Sequence, residues 1–214
     1  SVNVTLPPLS HPGSDTAELN SSSAVTVNSS FNIAPELDNR DELTLSETVY
    51  GTDLGSAVDV AYSSDGKYAY AADSSGHISV FSVSADGQLT EIQSLSGVAD
   101  LGSANGLALN EARSALYAVN GSKLVVLDIR SDGTLEYKQT INLQAQAYEI
   151  YVSHDGKQVY QNSQYNGMYV YNVDDSGQLT YDGGHFDEGG VGRQTAVTTS
   201  GEYLFATGTG SMWV

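Results

Sequence analysis

Apolar and polar positions alternate in short runs along most of this chain, with turn pairs between the runs. One series reads Val58-Asp59-Val60-Ala61-Tyr62, then Tyr68–Ala72, Ile78–Val83 and Leu89–Leu95. A period of two puts neighbouring side chains on opposite faces, so the series predicts four short β-strands, a to d in chain order. Asp65-Gly66 falls between a and b, and Asp86-Gly87 between c and d. Such pairs tolerate the positive φ that tight hairpins demand. The series then recurs. The aromatics Tyr70, Tyr117, Tyr160 and Phe205 stand 47, 43 and 45 residues apart. Apolar runs follow each of the first three: Ile78-Val80-Val83, Leu124-Val126-Ile129 and Met168-Val170-Val173. Asp86-Gly87, Asp132-Gly133 and Ser176-Gly177 then lead to Leu89, Leu135 and Leu179. The a–b turn pair returns as Asp155-Gly156 and Ser200-Gly201, while near Asn110-Glu111 its chemistry has decayed.

Four strands in about 45 residues is the period of a β-propeller blade. A solenoid of parallel strands needs a shorter repeat, and a β-sandwich would not keep phase over three of them. The expected fold is therefore all-β, a partial β-propeller of four-stranded antiparallel blades, with about 3.5 blades in the 214 residues. Asp41-Glu42-Leu43-Thr44 matches the start of a strand d, and repeat units follow at about 45–96, 97–144, 145–190 and 191–214, the last cut off in strand c. A ring of six to eight blades needs roughly 270 to 360 residues at this period. The missing blades are expected from further sequence or from a second chain. Residues 1–40 leave the repeat: Pro7-Pro8, His11-Pro12-Gly13 and Ser21-Ser22-Ser23 read as an irregular segment or linker. Within it, Val2–Leu6 and Ala24–Val27 are candidate closing strands.

Charge narrows the partners. Twenty-six acidic residues against eight Lys and Arg give −18, which argues against a nucleic-acid or anionic-membrane face. No apolar run approaches the roughly 20 residues of a membrane helix, so no membrane insertion is expected. There is no Cys, which excludes disulfides and thiol chemistry. Acidity with little Lys fits an extracellular or cell-surface bacterial protein. In a propeller the d–a and b–c loops gather on one face, here about 51–56, 97–104, 144–146 and 182–192 with 73–76, 120–122, 162–167 and 207–210. The rim candidates for ligand binding are Asp73, Asp100, Asn105, Tyr148, Glu149, His185 and Arg193.

The stretch 181–193 sets His185 among Asp182, Asp187, Glu188 and Arg193. A carboxylate beside a His raises its pKa and fixes its tautomer, as acid–base work requires, and an Arg can hold a carboxylate in a bidentate fork. The competing and preferred reading is a Gly-rich solvated loop. Asn172–Gly177 imitates the first half of a calcium loop, but Gly183 stands where its bidentate Glu belongs, so a plain turn is expected. No cofactor is required; calcium is the one ion considered, through Asp182, Asp187 and Glu188. No Gly-x-Ser-x-Gly elbow is present.

Ser64-Asp65-Gly66-Lys67-Tyr68-Ala69-Tyr70, Ile78–Val83 and Asp86-Gly87-Gln88-Leu89-Thr90 resemble a family of seven-bladed lactonase-type propellers. That family includes 6-phosphogluconolactonase-like and muconate-lactonizing-like proteins. Ser153–Tyr160, Met168–Val173 and Gly177-Gln178-Leu179-Thr180 repeat the pattern, so the resemblance spans about Asp41 to Val214. It implies a lactone hydrolase with a His at the start of strand a, pointing into the channel. The matching starts here are Ser56–Asp59, Ala104–Leu107, Ala147–Ile150 and Arg193–Ala196, and none holds a His. The main expectation is a non-enzymatic binding, adhesion or spacer module that presents its loop face to a protein or carbohydrate ligand. The alternative is a hydrolase of a sugar-acid lactone, with water activated by Glu149 or His185 and a substrate carboxylate held by Arg193.

Overall fold

A computed structural model describes residues 3–4, 19–20, 48–163, 166–186, 191–197, 203–208 and 211–213. The chain divides into two compact units, residues 1–50 with 84–89 and residues 51–83 with 90–214. In the first, β1 (Asn3–Val4) pairs antiparallel with β2 (Leu19–Asn20). The candidate strand Ala24–Val27 and the strand d expected from Leu43 lie outside the described residues.

The rest is sheet. β3 (Ala57–Tyr62), β4 (Tyr68–Asp73), β5 (Ile78–Val83) and β6 (Leu89–Leu95) form a four-stranded sheet in chain order. β7 (Gly106–Asn110), β8 (Ala115–Asn120), β9 (Lys123–Ile129) and β10 (Leu135–Asn142) form the second. The third holds β11 (Glu149–Val152), β12 (Gln158–Ser163), β13 (Gly167–Val173) and β14 (Leu179–Phe186). A fourth has three strands, β15 (Val191–Val197), β16 (Leu204–Gly208) and β17 (Ser211–Trp213). The first strands of successive sheets lie side by side, β3 with β7, β7 with β11 and β11 with β15. This is the radial arrangement of propeller blades with strand a innermost, and the chain is a partial β-propeller.

Alternation along β9 shows how the blades hold together. Leu124, Val125, Val126 and Leu127 are all buried. Val125 and Leu127 join Tyr70, Ile78 and Val80 in a core between the first two blades. Leu124 and Val126 join Ile150, Val159 and Tyr171 in a core between the second and third. A strand covered on both faces needs an unbroken apolar run, and this is one.

One expectation changes. The spacing predicts a loop over 182–192, but β14 continues to Phe186 and β15 begins at Val191. Its register against β13 shifts between Tyr169 and Tyr171, and Gly183 in the shifted stretch has φ +88°. The glycine that suggested a loop serves a bulge, which bends a strand without ending it. Asn172–Gly177 forms a hairpin turn, with the Asp174 carboxylate accepting from Ser176 and Gln178 and the Gly177 N–H returning to the Asp174 carbonyl.

Candidate functional site

The three complete blades present residues of one register at the start of strand a. Asp59 pairs with Ala72, Gly106 with Val119 and Glu149 with Asn162. Glu149 opens β11 and is half-buried. The Tyr151 hydroxyl, two residues on and so on the same face, donates to Glu149 Oε2 at 2.6 Å. Burial pushes the Glu149 carboxyl up, the Tyr151 hydrogen bond pulls it partly back, and the negative charge of Asp59 adds to the rise. A carboxyl raised in this way holds its proton more strongly, and its ionised form is a better base than a free carboxylate.

Asp59 reaches Glu149's neighbourhood from two blades away. Its Oδ2 accepts the Leu107 N–H on β7 at 2.7 Å, and its Oδ1 accepts the Val60 N–H at 2.8 Å. Between the two acids Gly106 offers no side chain. In the sequence Asp59 is simply a polar position in the alternating run Val58–Tyr62. The signal that would have found it is its equivalence to Glu149 in the repeat, with Gly106 between them.

The other candidates are dispersed. Asp73 ends β4 fully buried and accepts the N–H groups of Gly55, Ser75 and His77 and the His77 Nδ1, so it braces the b–c turn against the d–a loop. Asp100 lies in the second d–a loop at φ +66°, where its carbonyl accepts from the Asn120 amide at 3.0 Å. Asn105, exposed, precedes Gly106 and donates its N–H to Val119. Tyr148, half-buried, precedes Glu149 and donates its N–H to Asn162.

His185 pairs with Tyr169 on β14, the outermost strand of the blade whose innermost strand begins with Glu149. Three strand spacings separate them, roughly 14 Å, so the fold does not bring the two together. Arg193 lies in the irregular first half of β15, the inner strand next to β11. Asp182 is exposed and accepts the Gly184 N–H; Asp187 and Glu188 lie outside the described residues. Among the described residues no three His, Asp or Glu side chains are grouped to hold a metal.

A concavity of about 430 Å³ lies between the first two blades, lined in part by Ser64, Tyr68, Tyr70, Glu111 and Arg130. It sits at the a–b turns, at the other end of the strands from Glu149.

Comparison with known proteins agrees with this architecture. The family model described as "Lactonase, 7-bladed beta-propeller" matches residues 108–214. A proposed 6-phosphogluconolactonase from Bacteroides uniformis is 25% identical with a TM-score of 0.61, over 70% of this chain and 46% of its own. A second proposed 6-phosphogluconolactonase, from Bacteroides fragilis, is 23% identical with a TM-score of 0.52, over 58% and 37%. Hydrazine synthase of Kuenenia stuttgartiensis is 22% identical with a TM-score of 0.55, over 75% and 44%, and shares the fold alone. The chain thus spans less than half the length of each of these structures. Comparison with curated proteins found no match. With its blades, their innermost strands and the matched half in agreement, the chain belongs to the lactonase family of seven-bladed β-propellers.

Proposed function

We propose that the protein hydrolyses a sugar-acid lactone, with Glu149 as the general base. The observation that carries this is the raised, half-buried Glu149 carboxyl at the start of an innermost strand, oriented by Tyr151. Ionised Glu149 takes a proton from water as the water oxygen bonds to the lactone carbonyl carbon. The ring C–O bond then breaks, and the departing ring oxygen takes the proton back from Glu149, leaving an open hydroxy acid. The family supports this hydrolase reading over a binding, adhesion or spacer module.

The test is acid release by the full-length protein from glucono-1,5-lactone, followed in a pH-stat. Activity above the buffer rate is expected, falling as pH drops through the raised Glu149 pKa. Glu149→Gln should lower kcat/KM by about 10²- to 10⁴-fold, the usual share of a general base. A rate equal to buffer, or an unchanged rate in the variant, overturns the assignment.

A further inference from the structure

Strand b of each complete blade carries a tyrosine at one register: Tyr70 opposite Val80, Tyr117 opposite Val126 and Tyr160 opposite Val170. Two of the three hydroxyls are engaged within their own blade. The Asn110 Nδ2 donates to the Tyr117 hydroxyl at 3.2 Å, and the Tyr160 hydroxyl donates to Gln158 Oε1 at 2.9 Å. In the first blade both partners are replaced. Ser63 stands at the place of Asn110, and Tyr68 at that of Gln158. The Ser63 hydroxyl is held in its own turn, donating to Asp65 at 2.7 Å and accepting the Tyr68 N–H at 3.0 Å. Tyr70 is 1% exposed, and its hydroxyl meets no hydrogen-bond partner among the described residues.

That tyrosine lines the concavity of about 430 Å³ between the first two blades. The volume lies within the roughly 300–1,000 Å³ of small-molecule sites. Asp65 and Glu111, the carboxylates whose charge bears on the Tyr70 hydroxyl, line it as well. A buried hydroxyl is ordinarily bonded, so this one is poised for a partner that enters from outside. Glu111 and Ser114 reach the concavity from the 3-10 turn and its left-handed end, where the second blade departs from the repeat.

The charged groups of the lining are already engaged. Glu111 accepts the Ser64 N–H and hydroxyl, Asp65 pairs with Lys67 at 3.0 Å, and Arg130 with Glu136 at 3.0 Å. Two carboxylates against one guanidinium do not favour an anion. What remains for a ligand are the hydroxyls of Tyr70, Ser114 and Ser131, beside the apolar Leu109 and Ile129. A hydroxyl both donates and accepts. A pyranose ring matches this lining, with hydroxyls at its rim and C–H groups on its faces.

We propose that the concavity is a second binding site, for an uncharged pyranose sugar, with the Tyr70 hydroxyl as its buried anchor. It lies at the other end of the strands from Glu149, and it stands whether or not the protein hydrolyses a lactone.

The full-length protein would be titrated with the methyl β-pyranosides of glucose, galactose and mannose, followed by ligand-observed NMR. At least one should bind with a Kd on the order of 1 mM, the scale open to about thirteen non-hydrogen atoms. Tyr70→Phe keeps the ring and removes only the hydroxyl, so it should raise that Kd about five- to tenfold. Without sugar this variant should melt at or above wild type, because no bond within the protein is lost. Tyr117→Phe, which loses Asn110, should melt lower. Glu149→Gln should leave the Kd unmoved. Binding of none of the three sugars at about 20 mM overturns the proposal, as does a Kd that folded Tyr70→Phe leaves unchanged. Binding lost in Glu149→Gln also overturns it, since the sugar then sits at the other end of the blades.

Discussion

At the scale of single residues, the fully buried Asp73 shows how much one carboxylate can hold. It accepts hydrogen bonds from Gly55, Ser75 and twice from His77, which closes the b–c turn and ties the d–a loop to it. Burial works to raise its pKa, but the bonds from His77, Gly55 and Ser75 outweigh it and hold the carboxyl well below its ordinary 3.8. The folded state therefore binds this proton more weakly than the unfolded chain. The stabilisation is complete well above 3.8 and is lost as pH falls through the depressed folded value. Asp73→Asn should cost about 2–4 kcal/mol at pH 7, because an amide cannot accept at both positions. The gap between variant and wild type in urea melts should close on acidification. A gap that stays constant down to pH 3 would show that the charge is not what holds the turn. Asp73 was visible in sequence as a polar residue at a loop. Its burial was not, because it depends on Gly55, 18 residues away.

At the scale of elements, the a–b turns explain both the legible repeat and its gap. In the first and third blades Ser63 and Ser153 donate to Asp65 and Asp155, and Gly66 and Gly156 turn at φ +70° and +69°. The shared residues produce shared hydrogen bonds, which is why the period, the strand limits of β5 and β6, and the blade architecture could be read from the chain. In the second blade Glu111–Arg113 form a 3-10 turn, and Ser114 takes the left-handed conformation at φ +48°. Spacing alone could not foresee this substitute, nor the bulge at Gly183. An L-residue in that conformation costs roughly 1–2 kcal/mol, partly offset by the smaller entropy it loses on folding. Ser114→Gly should therefore raise stability by about 0.5–1 kcal/mol, a rise of roughly 1–4 °C in melting midpoint for a chain of this size. The reverse change makes the control. At Gly156 a Cβ would lie 2.4 Å from Asn110 Oδ1 and 2.7 Å from the Ala112 Cβ, at a φ that disfavours side chains. Gly156→Ala should cost about 2–3 kcal/mol, and a neutral result at both positions would remove turn strain from the account.

At the scale of the whole molecule, stability comes from one blade covering the next, and the three complete blades let that be measured at equivalent positions. Val60 pairs with Ala71, Leu107 with Ala118 and Ile150 with Gln161, so the three occupy the same place on β3, β7 and β11. Leu107 is 8% exposed and Ile150 4%, each packed in an interblade core. Val60 is 47% exposed, with Val58 and Tyr62 on the same face at 45% each. The difference does not lie in the residues, since all are apolar and on the same strand of the repeat. It lies in whether a neighbouring blade covers the face. Large-to-small substitution in a packed core costs about 2–5 kcal/mol, while an exposed site has little to lose. In the 214-residue chain, Leu107→Ala and Ile150→Ala should each lower stability by that amount in urea titrations, and Val60→Ala by less than about 1 kcal/mol. Equal costs at all three positions would refute interblade packing as the source. The same substitution also reports on assembly. Where a further blade, from the same polypeptide or from a second copy, covers β3, the cost of Val60→Ala should rise toward that of Leu107→Ala.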